Sequence, residues 1–359
     1  MTSSNPPLPY VTDQRALESL CHTLRQSPRL ALDTEFVGED TFIPRLELIQ
    51  VATATTAAVI DFPAVQASGS LDVFWELICD TKIEKIVHAG RQDLDLFAIH
   101  AGQIPKPFFD TQIAAAMVGY GAQVAYANLV QRLHGTKLAK AHTFTNWSAR
   151  PLSDDQIAYA LEDVEFLLSI HTHLQESPEH TRPVRSGSVR NLRASKRQWE
   201  KKGREPQERY QRIRWLGHAQ ASKGAAVLRE LAAWREAEAR RRNVPRGRVM
   251  RDEVLLQLAR HPPKSVNELR GLRGVHSSDV DRHGGQLLAT ITAALALPPS
   301  AWPEVPSERK PDPESTGIVE LLQAVLKARA AEQGIAPTML ATSADLQILV
   351  DARAESDSP

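Results

Sequence analysis

Residues 29–36 read RLALDTEF, and this stretch decides the fold. Leu30, Ala31 and Leu32 make a short apolar run of the kind that forms a buried strand. Asp33 and Glu35 end it two positions apart, so both carboxylates leave one face of the strand, where they can share a cation. A lone D-x-E is more often a solvated strand end, so further acids are required to make a site of it. Working outward, LELIQVAT (46–53), AAVIDF (57–62), KIVHA (85–89) and FFD (108–110) repeat the short β-rich pattern. The first three runs are joined by connections too short for crossover helices, whereas LDVFWELICD (71–80) has helical spacing before KIVHA. An α/β domain with a mixed sheet follows.

Helices dominate the rest. SDDQIAYALEDVEFLLSIHTHL (153–174) reads as one helix, with Ser153 and Gln156 as a capping box and Ile157, Ala160, Leu161, Val164, Leu167 and Leu168 at helical period. Residues 1–180 therefore form the first domain and 181–211, rich in Pro, Gly, Ser and Arg, a connector. Residues 212–298 form a small all-α unit with turn signals at 244–247, 261–263 and Gly284-Gly285. A Pro-rich linker, 299–312, precedes a last helical stretch, 313–359, that looks like an incomplete further unit.

The formal net charge of zero hides an asymmetry. Residues 181–260 hold 22 Lys and Arg against 8 Asp and Glu, whereas the first 180 residues hold 12 against 22. No apolar run approaches the roughly 20 residues of a membrane span. The N-terminus lacks the basic and apolar regions of a signal peptide, so a cytoplasmic location is expected. Cys21 and Cys79 are isolated, which points to buried apolar roles rather than disulfide or zinc chemistry.

Two more acids complete a candidate site. Asp93 opens a helix after KIVHA and the turn at Gly90, and Asp163 lies one turn after Tyr159, so phenol and carboxylate share a helix face. Glu162 and Glu165 are read as solvated neighbours. Four carboxylates without His or Cys form a hard oxygen site that suits two divalent cations, Mg2+ or Mn2+. That is the equipment for in-line hydrolysis of a phosphodiester, with Tyr159 orienting the attacking water.

LALDTEF, KIVHAGRQDLDLF and WSARPLSDDQIAYALEDVEFLL resemble the three exonuclease motifs of the DEDD superfamily, tyrosine subclass, as in the ribonuclease D family, over residues 8–175. The resemblance implies an RNase H-like fold, metal ligation by Asp33, Glu35, Asp93 and Asp163, a water-orienting Tyr159, and 3′→5′ exonuclease activity on RNA 3′ ends, tRNA precursors among them. The histidine subclass places a His five residues before the last Asp, where this chain has Ala158. The second unit resembles the HRDC domain, and 313–359 the front half of another. A DNA exonuclease of the same superfamily, or an idle RNA-binding module on the same fold, are the alternative readings; an intact set of four acids and Tyr159 argues against the second. No obligate protein partner is indicated.

Lesser signals carry paired readings. Gln50 and His88 are site-lining residues or core residues. Phe36 packs inward or stacks on a terminal base. Arg150 grips a phosphate, or braces its loop against Asp154 or Asp155. Asp110 is read as the N-cap of the following helix, and His171 and His173 as a solvated helix end. Arg193, Lys196, Arg197, Lys201 and Lys202 in the connector, with Arg241 and Arg246 beyond it, are read as phosphate contacts.

Overall fold

Leu30 and Leu32 turn to one side of their strand and Ala31 to the other, and helices cover both sides. The computed structural model describes residues 9–138, 145–176, 213, 221–275, 277–303, 313–332 and 334–356. The sheet contains β1 (Tyr10–Val11), β2 (Arg29–Val37), β3 (Arg45–Ala52), β4 (Ala57–Asp61), β5 (Glu84–Val87) and β6 (Phe108–Asp110), in the order β1-β4-β3-β2-β5-β6. The β4-β3 and β3-β2 pairs are antiparallel and the β1-β4, β2-β5 and β5-β6 pairs parallel, so the sheet is mixed, as the connection lengths predict. The two-residue β1 has no counterpart in the sequence reading.

One face of the sheet carries α1 (Gln14–Leu24), α2 (Phe62–Ser68), α3 (Asp72–Cys79) and α4 (Arg91–Ala101), packed through Leu17, Cys21, Phe74, Leu77 and Phe97. The other carries α5 (Thr111–Met117), α6 (Tyr126–His134), α7 (Asp154–Glu165) and α8 (Leu167–Glu176). Leu129, Val164, Ile170 and Leu174 there close over Ala31 and Ile86. The capping box of α7 forms as expected: Gln156 N–H donates to Ser153 Oγ at 3.2 Å and Ser153 N–H to Gln156 Oε1 at 2.9 Å. The single helix expected over 153–174 is broken at Phe166. His171 is no solvated helix end either. It is fully buried beneath the Phe109 ring, with its Nε2 3.1 Å from Glu84 Oε2, while His173 is exposed.

Contacts divide the chain into two units, Met1–Val37 with Arg45–Arg193 and Pro311–Pro359, and Gly38–Pro44 with Ala194–Lys310. In the second, α9 (Ala221–Arg242), α10 (Arg246–Val249), α11 (Asp252–Arg260), α12 (Val266–Gly271) and α13 (Ser277–Leu295) enclose a core of Leu228, Leu231, Leu255, Leu258, Leu287 and Ile291. Gly284-Gly285, expected as a turn, lies inside α13. A Cβ on Gly284 would stand 3.2 Å from the Val280 side chain, so close packing, not a turn, uses the glycine. The last stretch forms α14 (Pro313–Glu332), α15 (Pro337–Leu340) and α16 (Ser343–Ser356), closed over Val319, Leu346 and Val350. It joins the first unit, where Ala336 N–H donates to Ala116 O at 2.9 Å. Among the described residues no helix is long and apolar enough to cross a membrane.

Candidate active site

β5 pairs with β2 only over Arg29–Ala31, so Asp33 and Glu35 lie past its end, on the face that α7 crosses. Asp33 stands opposite Gln50 and Glu35 opposite Leu48; Phe36 then pairs with Leu46. Glu47 of β3 is left over as a bulge, which bends β3 opposite Glu35 and Phe36. The bulged side chain is buried and is used: Glu47 Oε1 accepts Arg45 Nε at 2.6 Å and Ser148 Oγ at 2.8 Å, tying the approach to α7 onto β3.

Asp93 enters from the other layer. The turn after β5 holds Ala89 at φ +53°, and Gly90 is required because a Cβ there would meet the Val87 side chain at 2.5 Å. The Asp110 carboxylate clamps this turn, accepting Ala89 N–H at 3.1 Å and Gly90 N–H at 3.2 Å while capping α5 through Gln112 N–H at 2.9 Å. The expected N-cap is therefore also a tie between two elements. Asp93 follows in the first turn of α4, and the hydroxyl of Thr34, the middle residue of D-T-E, donates to its Oδ1.

These groups repel each other. Withdrawal from water, then the charges of Asp93, Asp163 and Glu35, hold the Asp33 carboxyl well above the usual range. Burial followed by Asp163 and Asp93 pushes Glu35 up to about 8. Burial and Glu162 push Asp163 up to about 7. Burial also raises Asp93. Tyr159 stacks near Trp147, with ring centroids 6.2 Å apart, and is pushed up to about 12 by burial and the charges of Asp163, Glu35 and Asp33. Its phenol thus keeps its proton at neutral pH. Glu162, expected to be solvated, is half-buried with Oε2 lacking a hydrogen-bond partner, whereas Glu165 is exposed.

Among the described residues no three His, Cys, Asp or Glu side chains form a ready-made cage for one ion. The acids meet as crowded, mutually repelling neighbours. Their chemistry nevertheless fits a hard divalent cation: the donors are all oxygen, and positive charge among them would offset the burial and the like charges that raise their pKa values.

The lesser candidates divide. Gln50 is fully buried beside Asp33, and neither atom of its amide has a hydrogen-bond partner. His88 fits the core reading: Nε2 lies 3.0 Å from Val124 O, Nδ1 2.9 Å from Thr111 Oγ1, and burial pushes its pKa down to about 4. Phe36 is half-buried against the core cluster on the α1–α4 face. Arg150 is a correction, because its donors are taken by Asp61 Oδ1 at 3.0 Å and Trp147 O at 2.6 Å rather than by Asp154 or Asp155. Burial works to raise the Asp61 carboxyl, but Arg150 and the Tyr10 hydroxyl outweigh it and hold it low. Arg241 pairs with Glu238, at 2.7 and 2.8 Å, and Arg246 with Glu236; the Arg246 guanidinium also lies 4.6 Å from the centre of the Phe42 ring. Arg193, Lys196, Arg197, Lys201 and Lys202 lie outside the described residues.

Comparison with known proteins gives the chain's family. A sequence family described as 3′–5′ exonuclease matches residues 8–178, and the HRDC domain family matches residues 224–291. The ribonuclease D of Granulibacter bethesdensis is 38% identical over 97% of this chain and 87% of its own length. The crystal structure of Escherichia coli RNase D, described as an exoribonuclease involved in structured RNA processing, matches with a TM-score of 0.84 at 29% identity, covering 99% of this chain and 92% of that one. The catalytic core of RRP6 from Trypanosoma brucei, with a TM-score of 0.56 at 22% identity over 83% of this chain and 82% of that one, shares the fold. With such identity along nearly its whole length, the chain belongs to the ribonuclease D family of 3′→5′ exoribonucleases.

Proposed function

We propose that this chain removes nucleotides one at a time from RNA 3′ ends by hydrolysis, with Asp33, Glu35, Asp93 and Asp163 holding two divalent cations, Mg2+ or Mn2+, and Tyr159 orienting water. The observation that carries the reading is the set of acids gathered around the Tyr159 phenol, where burial first and their neighbours' charges second hold the Asp33 and Glu35 carboxyls up. When bound, such cations supply neutralisation of charge on the phosphate and the leaving oxygen. The chain supplies the rest. Tyr159, too weak an acid to ionise at neutral pH, acts by hydrogen bonding, and the neighbouring Trp147 ring limits where the phenol can point. Thr34 holds one oxygen of Asp93 by hydrogen bonding.

Structured RNA, tRNA precursors included, is the substrate this reading favours, on the strength of the structured RNA processing in which the E. coli relative is involved. A cytoplasmic location goes with it, as does action without an obligate protein partner. The connector cations Arg193, Lys196, Arg197, Lys201 and Lys202 are the phosphate contacts, since Arg241 and Arg246 already have acidic partners.

Digestion of end-labelled RNA and DNA in Mg2+ tests the reading. Asp33→Asn should slow hydrolysis by about a thousandfold while RNA binding stays within a few fold. Tyr159→Phe should lower turnover more than affinity, and EDTA should stop the reaction. Full activity in Asp33→Asn would sink the assignment; faster digestion of DNA would move the substrate.

A further inference from the structure

The break between α7 and α8 has no cause in its own sequence. LEDVEFLL (161–168) contains neither proline nor glycine, the usual origins of a sharp interruption. The cause comes from α6. The Tyr126 hydroxyl donates to Glu162 O at 3.0 Å and accepts Phe166 N–H at 3.1 Å. These are the two groups that an unbroken α-helix would join to each other, residue i to i+4. Inside its own helix the Phe166 N–H reaches only Val164 O, two residues back. The phenol is thus inserted into the hydrogen-bond ladder and satisfies both ends of the bond it replaces.

Tyr126 is itself held. It is the first residue of α6, and its ring packs against His88 with centroids 5.6 Å apart. His88 is in turn fixed by Thr111 and Val124 O. The break also has a purpose in packing. Before it, Ile157 and Ala160 close over Leu48, Val59 and Trp147; after it, Ile170 and Leu174 close over Ala31, Ile86 and Phe109. Asp163 lies between the two residues that the hydroxyl bridges, with Tyr159 one turn earlier. The phenol is near enough to Asp163 and Asp33 to sense their charges.

We infer that Tyr126 is a positioning residue for the reaction: its hydroxyl, wedged between Glu162 and Phe166, sets the direction in which Asp163 and Tyr159 face Asp33 and Glu35. The inference rests on the reading that these residues form the reaction centre. It assigns Tyr126 no contact with substrate. Its effect passes through the last turn of α7, as a group outside the ligand set acts by orienting a ligand.

Tyr126→Phe keeps the ring and removes the wedge. On the full chain, Mn2+ binding followed by calorimetry should weaken by about tenfold, in the range usual for loss of an orienting partner. The kcat for release of the 3′ nucleotide should fall while KM for RNA stays within about twofold. Hydrogen exchange in a peptide spanning 160–170 should change, since Phe166 N–H loses its acceptor. Wild-type kcat in Tyr126→Phe overturns the inference, as does a lower melting temperature with Mn2+ affinity and kcat both unchanged. Asp33→Asn, measured alongside, separates the two levels. If it binds Mn2+ like the wild type, the metal reading fails by itself, and the wedge then stands or falls on whether Tyr126→Phe lowers kcat at constant KM.

Discussion

The two units treat charge in opposite ways. Around Asp33, acids of like sign crowd together at the end of a strand, and each is held above its ordinary pKa. In the helical unit, acids are held by cations instead: Glu236 by Arg246, Glu238 by Arg241, Asp252 by Arg235, Asp40 by Arg248. Charges that satisfy each other belong to the scaffold. Charges that cost free energy to keep together are retained for something that arrives from outside, which is why perturbed acids point to a functional site. The comparison also reclassifies Arg150, which sits in the first unit but is matched in the manner of the second.

The largest effect that sharpens this contrast comes from Arg150→Ala. It leaves Asp61, only 1% exposed, without its main counter-charge. Breaking a buried pair from one side costs about 3 kcal/mol, so chemical denaturation should register a loss of that order. The salt dependence of RNA binding should not move. An unchanged stability with weaker, less salt-sensitive RNA binding would return Arg150 to the phosphate-gripping role that its position before α7 suggests.

A smaller effect probes the crowded acids directly. A carboxyl whose folded pKa lies above its unfolded value holds its proton more tightly in the folded state. That contribution to stability is full below about pH 4 and is lost as pH rises through the folded value. For Glu35 and Asp163 the loss spans about pH 4 to 8, given folded values of about 8 and 7. In EDTA the melting temperature should therefore fall between pH 5.5 and 8.5, and Glu35→Gln should flatten the fall. Added Mn2+ should raise the melting temperature most at the alkaline end, where no protons need be displaced. Equal slopes in wild type and Glu35→Gln would mean that Glu35 is not part of the crowd.

What the sequence disclosed about this site follows from local periodicity. Two residues apart on a strand, or four apart on a helix, fixes a shared face without knowledge of the rest of the chain, so Asp33 with Glu35 and Tyr159 with Asp163 were legible. The mixed sheet was legible for a similar reason, since connection length limits strand direction. The supporting groups were not, because each acts across a long separation. Thr34 reaches Asp93 from 59 positions away, Tyr126 reaches Glu162 from 36, and Arg150 reaches Asp61 from 89. His171 looked solvated because it is polar and near a helix end, yet the turn of α8 puts it under Phe109. Gly284-Gly285 looked like a turn because glycine serves both chain reversal and close packing, and only the neighbours say which.

The smallest expected effect is the one most able to break the contrast. Arg241 is 71% exposed on its side chain and Glu238 only 9%, so the pair lies at the surface with its acid tucked inward. Such a pair holds little stability, and Arg241→Ala should leave the melting temperature where it is. If the pair is only scaffold, the slope of log affinity against log salt for RNA should also stay constant. Replacing Lys201 and Lys202 together should lower that slope by about 1.4, at roughly 0.7 for each single-strand phosphate left without its cation. A drop of about 0.7 in Arg241→Ala would show that the guanidinium leaves Glu238 for a phosphate. The matched charges of the helical unit would then be a resting arrangement that RNA exchanges for its own.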